Sequence, residues 1–268
     1  MLSYVLVPID GSPESEAILP IAASIAARFG VELRLLQVID HEFERDAAEE
    51  HLGNLAMKHG AASAPVIASG NVLRTILDLL ETDPGGLVAM STHGRSRVTE
   101  EVMGSTALTL VRKLARPVLV YRPADHEPAP ASALPIETVV IPIDGSEFAE
   151  SMIPVAAGFA KAIGAGVELV QVIQPLENPA PSDVLESSYV RGRAEALHRD
   201  MGIPVSFETL HGDPTKVIPD YVRDRPHTML AMTTHARRGL ERIAFGGVAN
   251  ACIRHSGVPI LLRHPGNQ

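Results

Sequence analysis

Short unbroken apolar runs alternate along this chain with stretches whose apolar residues recur every three or four positions. Tyr4–Ile9 is the first run, and its continuity predicts a strand buried on both faces. Asp10-Gly11 turns the chain, Ser12 is placed to cap a helix, and Pro13 fits its first position. Ile18, Ile21, Ala22, Ile25 and Phe29 follow at helical spacing, and Gly30 closes that helix. Leu33–Ile39 reads as the second strand and His41–His59 as a polar helical stretch. Pro65–Ala68 reads as a short strand, and Val72–Glu81 as a helix with Leu73, Ile76, Leu77 and Leu80 on one side. Leu87–Met90 is the fourth strand; a Gly/Ser/Arg loop, a helix bearing Leu110, Val111 and Leu114, and the strand Val118–Tyr121 complete the set. Strands of this kind alternating with helices predict a parallel sheet covered on both faces.

The whole pattern then repeats. Val5–Ser12 (VLVPIDGS) returns as Val139–Ser146 (VVIPIDGS), and Gln37-Val38-Ile39 as Gln171-Val172-Ile173, each 134 positions on. Ser91–Ser105 returns as Thr233–Gly247, now 142 positions on, so the second copy carries eight extra residues between Val172 and Gly212. They fall near Pro175–Asp183. A repeat this long is a domain, not a solenoid unit. Pro123–Pro135 (PADHEPAPASALP) lacks any apolar period and reads as a semi-extended connector. The expected division is a domain at 1–124, a Pro/Ala-rich linker at 125–135 and a second domain at 136–268.

Composition narrows this picture. Tryptophan is absent and aromatic residues are only 4% of the chain, so both cores must be aliphatic. The net charge of −9 argues against a general nucleic-acid binder or a partner of anionic membranes. It leaves phosphate ligands open, because backbone amides bind them locally. The one cysteine, Cys252, stands at an apolar helical position equivalent to Leu110, which suits a buried inert thiol and rules out a disulfide framework. No apolar run approaches the length of a membrane span, and no early segment resembles an export signal. The expected location is the cytoplasm.

In open parallel sheets, ligands bind beyond the carboxyl ends of the strands where the strand order reverses. Two loops with special chemistry leave such ends: Asp10-Gly11-Ser12, and Ser91–Ser105 after Met90. A carboxylate there can accept hydrogen bonds from a base amine or a ribose hydroxyl, or serve only an Asx-turn at a helix start. A Gly/Ser/Thr loop entering a helix can aim successive N–H groups at phosphate. His93 and the equivalent His235 either touch a ligand or fix the loop backbone. His41-Glu42 opens like a zinc-protease helix, but no second histidine completes it. There is no Gly-x-Ser-x-Gly elbow, no Gly-Lys-(Ser/Thr) phosphate loop and no His-x-Gly-His motif.

On these residues the chain resembles the universal stress protein family in its tandem form. The family signature is Gly-x2-Gly-x9-Gly-(Ser/Thr) after the fourth strand, with an Asp after the first. The first copy reads Ser91-x2-Gly94-x9-Gly104-Ser105, and the second Thr233-x2-Ala236-x9-Gly246-Gly247; Asp10 and Asp144 are both present. The resemblance implies two Rossmann-like (adenine nucleotide alpha hydrolase-like) α/β domains, each a five-stranded parallel sheet of order 3-2-1-4-5. It also implies binding of ATP or AMP, with or without a bridging Mg²⁺. Carried over residue by residue, Asp10 and Val38 flank the adenine, with Pro8 and Ile9 beside them. Thr92, Gly94, Arg95 and Ser96 line ribose and phosphates, with Ser91 and His93 in the same loop, and Gly104, Ser105 and Thr106 grip the phosphates. Val38 is also a plausible core valine, Ser105 a plausible capping residue, and Arg95 a plausible solvated cation.

The departures carry their own expectations. Glu100-Glu101, if turned inward, repel a triphosphate and favour AMP or a Mg²⁺-bridged nucleotide. Ala236 adds a Cβ where backbone should approach phosphate, and Gly247 lacks a hydroxyl, so the second site is expected to be weaker or empty. Arg237 and Arg238 add compensating charge. The resulting expectation is a non-enzymatic protein that binds an adenine nucleotide, chiefly in its N-terminal domain, and regulates a stress response through an unidentified protein partner. The alternatives are a slow ATPase or phosphotransferase, and a structural interaction module with degenerate sites. The resemblance further implies an intrachain pseudo-dimer through the edge strands Val118–Tyr121 and Ile260–Arg263, with a homodimer as an extension.

Overall fold

The computed structural model describes residues 2–61, 66–92, 103–123, 135–174, 183–234 and 246–265, with backbone alone at 66–67 and 183–187. The chain divides into two units, Met1–Leu134 and Pro135–Gln268. In the first, β1 (Tyr4–Ile9) leads through α1 (Pro13–Glu16) and α2 (Leu19–Phe29) to β2 (Glu32–Ile39). A 3-10 turn at Glu42–Glu44, α3 (Arg45–His59), β3 (Val66–Ser69), α4 (Val72–Thr82), β4 (Gly86–Ser91), α5 (Ser105–Lys113) and β5 (Val118–Tyr121) follow. The second repeats the order as β6 (Thr138–Ile143), α6 (Glu147–Glu150), α7 (Ile153–Ile163), β7 (Gly166–Ile173) and α8 (Asp183–Met201), then β8 (Val205–His211), α9 (Pro214–Arg223), β9 (Thr228–Thr233), α10 (Gly247–His255) and β10 (Ile260–Arg263).

The strand order is β3-β2-β1-β4-β5 in the first unit and β8-β7-β6-β9-β10 in the second, the predicted 3-2-1-4-5 arrangement twice. The described pairings within each unit are parallel. Val5, Val7, Val88, Ala89, Val118 and Leu119 are fully buried, as continuous apolar strands require.

The predicted single helix after β1 is in fact two. α1 ends at Glu16, Ala17 and Ile18 form a turn, and α2 restarts at Leu19. Pro20 explains the break, because it has no N–H to donate to the Glu16 carbonyl and suits the first turn of the new helix instead. Pro154 divides α6 from α7 in the same way. Gly30 and Gly164 then close α2 and α7 in the left-handed conformation, at φ 65° and 69°.

The two ends of each sheet are built differently. At the carboxyl end, β1 pairs with β2 as far as Ile9↔Gln37, but with β4 only as far as Leu6↔Val88. The halves of the sheet therefore part beyond Leu6, and Pro8 falls in that gap. In the second unit the β6–β9 pairing ends at Val140↔Leu230, and Pro142 lies in the matching gap. At the opposite end of the first sheet the Tyr4 ring lies fully buried. Its hydroxyl donates to the Asp83 carbonyl at 2.9 Å, and the Arg34 guanidinium stands 4.0 Å from its centroid. Gly86 passes directly beside that ring: a Cβ there would lie 2.6 Å from the Tyr4 oxygen and nearer still to Cζ.

Cys252 is fully buried on α10, and burial pushes its thiol up from 9.0 to about 12. Tyr221, over which Arg225 stacks at 4.6 Å, is pushed up to about 12 by burial and then by the Glu168 carboxylate. Both groups stay neutral in the folded unit while the unfolded chain ionises them from about pH 9 upward. The unfolded state then binds fewer protons, so stability is intact below pH 9 and falls as pH rises toward 12. The expected result is a urea midpoint for the second unit that declines between these limits, and less steeply in Cys252→Ala. At pH 8 iodoacetamide is expected to label Cys252 only after unfolding.

Candidate functional site

The strands part at the carboxyl end of each sheet, and the turn after the first strand stands beside that gap. Gly11 at φ 79° allows the Asp10 carboxylate to curl back onto the chain. Its Oδ1 accepts from the Ser12 N–H at 3.0 Å and from the Ser12 hydroxyl at 2.6 Å. The Ser12 oxygen in turn accepts from the Ser15 N–H at 3.2 Å, capping α1, and the Asp10 N–H donates to the Ser15 hydroxyl at 3.3 Å. The second unit rebuilds the turn with Gly145 at φ 80°. There Asp144 Oδ1 accepts from the Ser146 N–H at 3.0 Å and its hydroxyl at 2.6 Å, and Ser146 caps Ala149 at 3.1 Å. The Asx-turn is thus the observed role of one oxygen of each carboxylate. It fixes the direction of the group at the strand end.

The other side of the gap begins where β4 ends. Ser91 is buried, with its hydroxyl 3.5 Å from the Ser15 carbonyl, and so ties β4 to α1. Thr92 is 2% exposed; its N–H donates to the Tyr121 carbonyl at 3.0 Å, and its carbonyl accepts from the Gly104 N–H at 2.6 Å. A Cβ on Gly104 would come 3.3 Å from that carbonyl, so glycine permits the closure. Gly104 is the N-cap of α5 and, having no side chain, makes no cap hydrogen bond to the first turn at Ser105 and Thr106. Val38 is half-buried on β2, Pro8 is half-buried, and Ile9 is buried. His93, Gly94, Arg95 and Ser96 lie outside the described residues, as do Arg97, Glu100, Glu101, His235, Ala236, Arg237 and Arg238.

The second unit holds a cleft of ≈ 470 Å³ at this place. It runs from Pro142, Ile143 and Asp144 across Val170 and Val172 of β7 to Met232, Thr233 and Thr234, and reaches Gly246, Gly247 and Val248 at the start of α10. This is the size of a small-molecule site, apolar along its walls with a few convergent polar groups. Thr234 is 2% exposed, and its hydroxyl oxygen is buried without a hydrogen-bond partner among the described residues. Its carbonyl accepts from His264 Nδ1 at 2.8 Å, where the first unit has the Thr92–Gly104 closure. A Cβ on Gly246 would meet nothing within 4 Å among the described residues, whereas one on Gly104 would come 3.3 Å from the Thr92 carbonyl. Gly246, having no side chain, likewise makes no cap hydrogen bond to the first turn of α10.

Sequence reasoning did not single out Phe148, Gln174, Pro214 or Ile218, which also line the cleft, or the Thr234 hydroxyl. The repeat offset held a signal for two of them: Phe148 and Gln174 stand opposite Glu14 and Asp40, a change from acid to neutral at both positions. Among the described residues no helix is long and apolar enough to cross a membrane.

The family described as "Universal stress protein family" matches this chain twice, at residues 1–122 and 135–264. A universal stress protein of Mycobacterium tuberculosis is 25% identical over 290 residues, covering 96% of each chain. One of Methanocaldococcus jannaschii is 27% identical over 135 residues, covering 46% of this chain and 79% of its own. A crystal structure of a universal stress protein from Archaeoglobus fulgidus shares the fold with a TM-score of 0.74, 20% identity and 98% coverage of both chains.

Proposed function

We propose that this chain, which belongs to the universal stress protein family, binds an adenine nucleotide at the strand ends of its units and acts as a ligand-responsive regulator of the stress response. The observation that carries this reading is the second unit's cleft of ≈ 470 Å³, where a threonine hydroxyl without a partner among the described residues meets a helix start that has no side-chain cap. A buried hydroxyl without a partner costs stability, and a phosphate oxygen would satisfy it. Amides at a helix N-terminus favour the same anion. The oriented carboxylate at the strand end suits a base amine or ribose hydroxyl, and Val172 offers an apolar edge to the ring.

The first unit is the principal site in this reading. It has the same Asp10–Ser12 turn and an α5 start without a side-chain cap, and it keeps Gly94 and Ser105 where the second has Ala236 and Gly247. The ligand is ATP or AMP, and a Mg²⁺ accompanying it would supply charge neutralisation at the phosphates, with the Asp10 and Asp144 carboxylates as the acidic groups at the strand ends. The role is binding, not turnover. Ser12 and Ser146 are the hydroxyls held by the strand-end carboxylates, and each is committed to capping a helix. Occupancy would tie the loop after Thr92 to the Asp10 turn. Free ligand at 100 times its dissociation constant stabilises the bound form by about 2.7 kcal/mol, enough to bias a partner-binding surface.

The test is to denature protein purified without added nucleotide and identify what is released by chromatography and mass spectrometry, with equilibrium dialysis alongside. An adenine nucleotide released or bound in stoichiometric amount is expected. No nucleotide by either route would leave the structural-module reading in its place.

A further inference from the structure

The two units differ at the end that would face a base. On the short helix after the first strand, the first unit has Glu14 and the second has Phe148; just beyond the second strand, it has Asp40 where the second has Gln174. Phe148 and Gln174 both line the second cleft, together with Val170 and Val172. Phe148 is half-buried there, on a helix whose start is pinned by the Asp144–Ser146 turn. The Ser151 hydroxyl holds the Phe148 carbonyl at 2.7 Å, so the backbone under the ring is fixed at both ends. The one carboxylate among the described residues lining this cleft is that of Asp144.

From this we propose that the second unit holds its ligand by the base. Phe148 forms a stacking wall and Gln174 an uncharged amide at the rim, so the base contact dominates in this cleft and adenosine, which lacks the phosphate contact of Thr234, stays within about tenfold of AMP and ATP. The inference rests on the proposed nucleotide binding and assigns to the second unit a specificity the first does not share. The physical argument is a balance of contributions. An aromatic face stacks on any purine, while Glu14 and Asp40 would add repulsion to a polyanion without offering a face. The second unit has lost the closing hydroxyl, which removes a phosphate contact, and has gained the ring, which adds a base contact.

The chain contains no tryptophan, so Phe148→Trp would place a single indole at the wall. Titration of that full-length variant with adenosine, AMP and ATP is expected to quench its emission saturably, with midpoints within about tenfold of one another. In equilibrium dialysis, Phe148→Ala is expected to weaken one class of site about tenfold, while Phe148→Tyr keeps wild-type affinity. The tyrosine variant guards against a misfolded alanine variant. Two results would overturn the inference and leave the nucleotide reading standing: F148W emission indifferent to ligands that dialysis shows bound, or a second site at least a hundredfold tighter for ATP than for adenosine. No binding to the wild-type chain would overturn both.

Discussion

Gly86→Ala is expected to destabilise the first unit by about 3 kcal/mol or more, the upper range for overpacking a fitted core. The added methyl would stand 2.6 Å from the Tyr4 oxygen and 2.7 Å from Cε2, distances that Cβ atoms do not tolerate. The ring has little room to yield. It is 1% exposed, its hydroxyl is bonded to the Asp83 carbonyl, and the Arg34 guanidinium covering it is held by Asp83 at 3.1 Å. The measurement is urea denaturation with hydrogen exchange across β1 and β4. A double-mutant cycle isolates the cause. Tyr4→Leu removes the clashing atoms, so Gly86→Ala should cost far less in that background than alone. Equal costs in both backgrounds would show that the methyl meets something other than the ring. The position lies at the amino end of the sheet, so nucleotide chemistry has no part in it.

Thr234→Val is expected to move two quantities in opposite directions. The hydroxyl is buried without a partner among the described residues, so replacing it with a methyl should raise unliganded stability by about 1 kcal/mol. The same change removes the donor that a phosphate would use, so affinity in the second unit should fall about tenfold. Thermal melts without ligand and dialysis with AMP read the two effects separately. A threonine that is merely part of the core would change the melt and leave binding alone. A loss of stability without ligand would mean that the hydroxyl already has a partner.

Much of the fold was legible because the physics is local and was written twice. Continuous apolar runs such as Tyr4–Ile9 and Val118–Tyr121 were read to the residue, and Gly30 closes its helix as expected. The missed break between α1 and α2 shows where periodicity misleads. Ile18 and Ile21 keep an apolar face through the turn, so the face continues although the hydrogen-bond ladder does not. Pro20 was the available signal. The Asp10 and Asp144 turns were also visible in Asp-Gly-Ser, since an Asx-turn depends only on neighbours. The cleft was less legible. Whether a hydroxyl such as that of Thr234 lacks a partner depends on groups brought together from distant parts of the chain. Phe148 could be noticed only by aligning the copies and attending to their differences.

The closure between Thr92 and Gly104 has a consequence for how such a chain can change over time. Both ends of the intervening stretch are tied to the scaffold, Thr92 to β5 through Tyr121 and to Gly104 through its own carbonyl. Met103 is itself buried and belongs to the scaffold, so the exchangeable cassette in this socket is 93–102, replaceable at constant length. Grafting residues 235–244 into the positions of 93–102 should therefore yield a folded first unit with altered ligand preference. A duplicated chain with such a socket in one half can explore new ligands there while the other half keeps the old one.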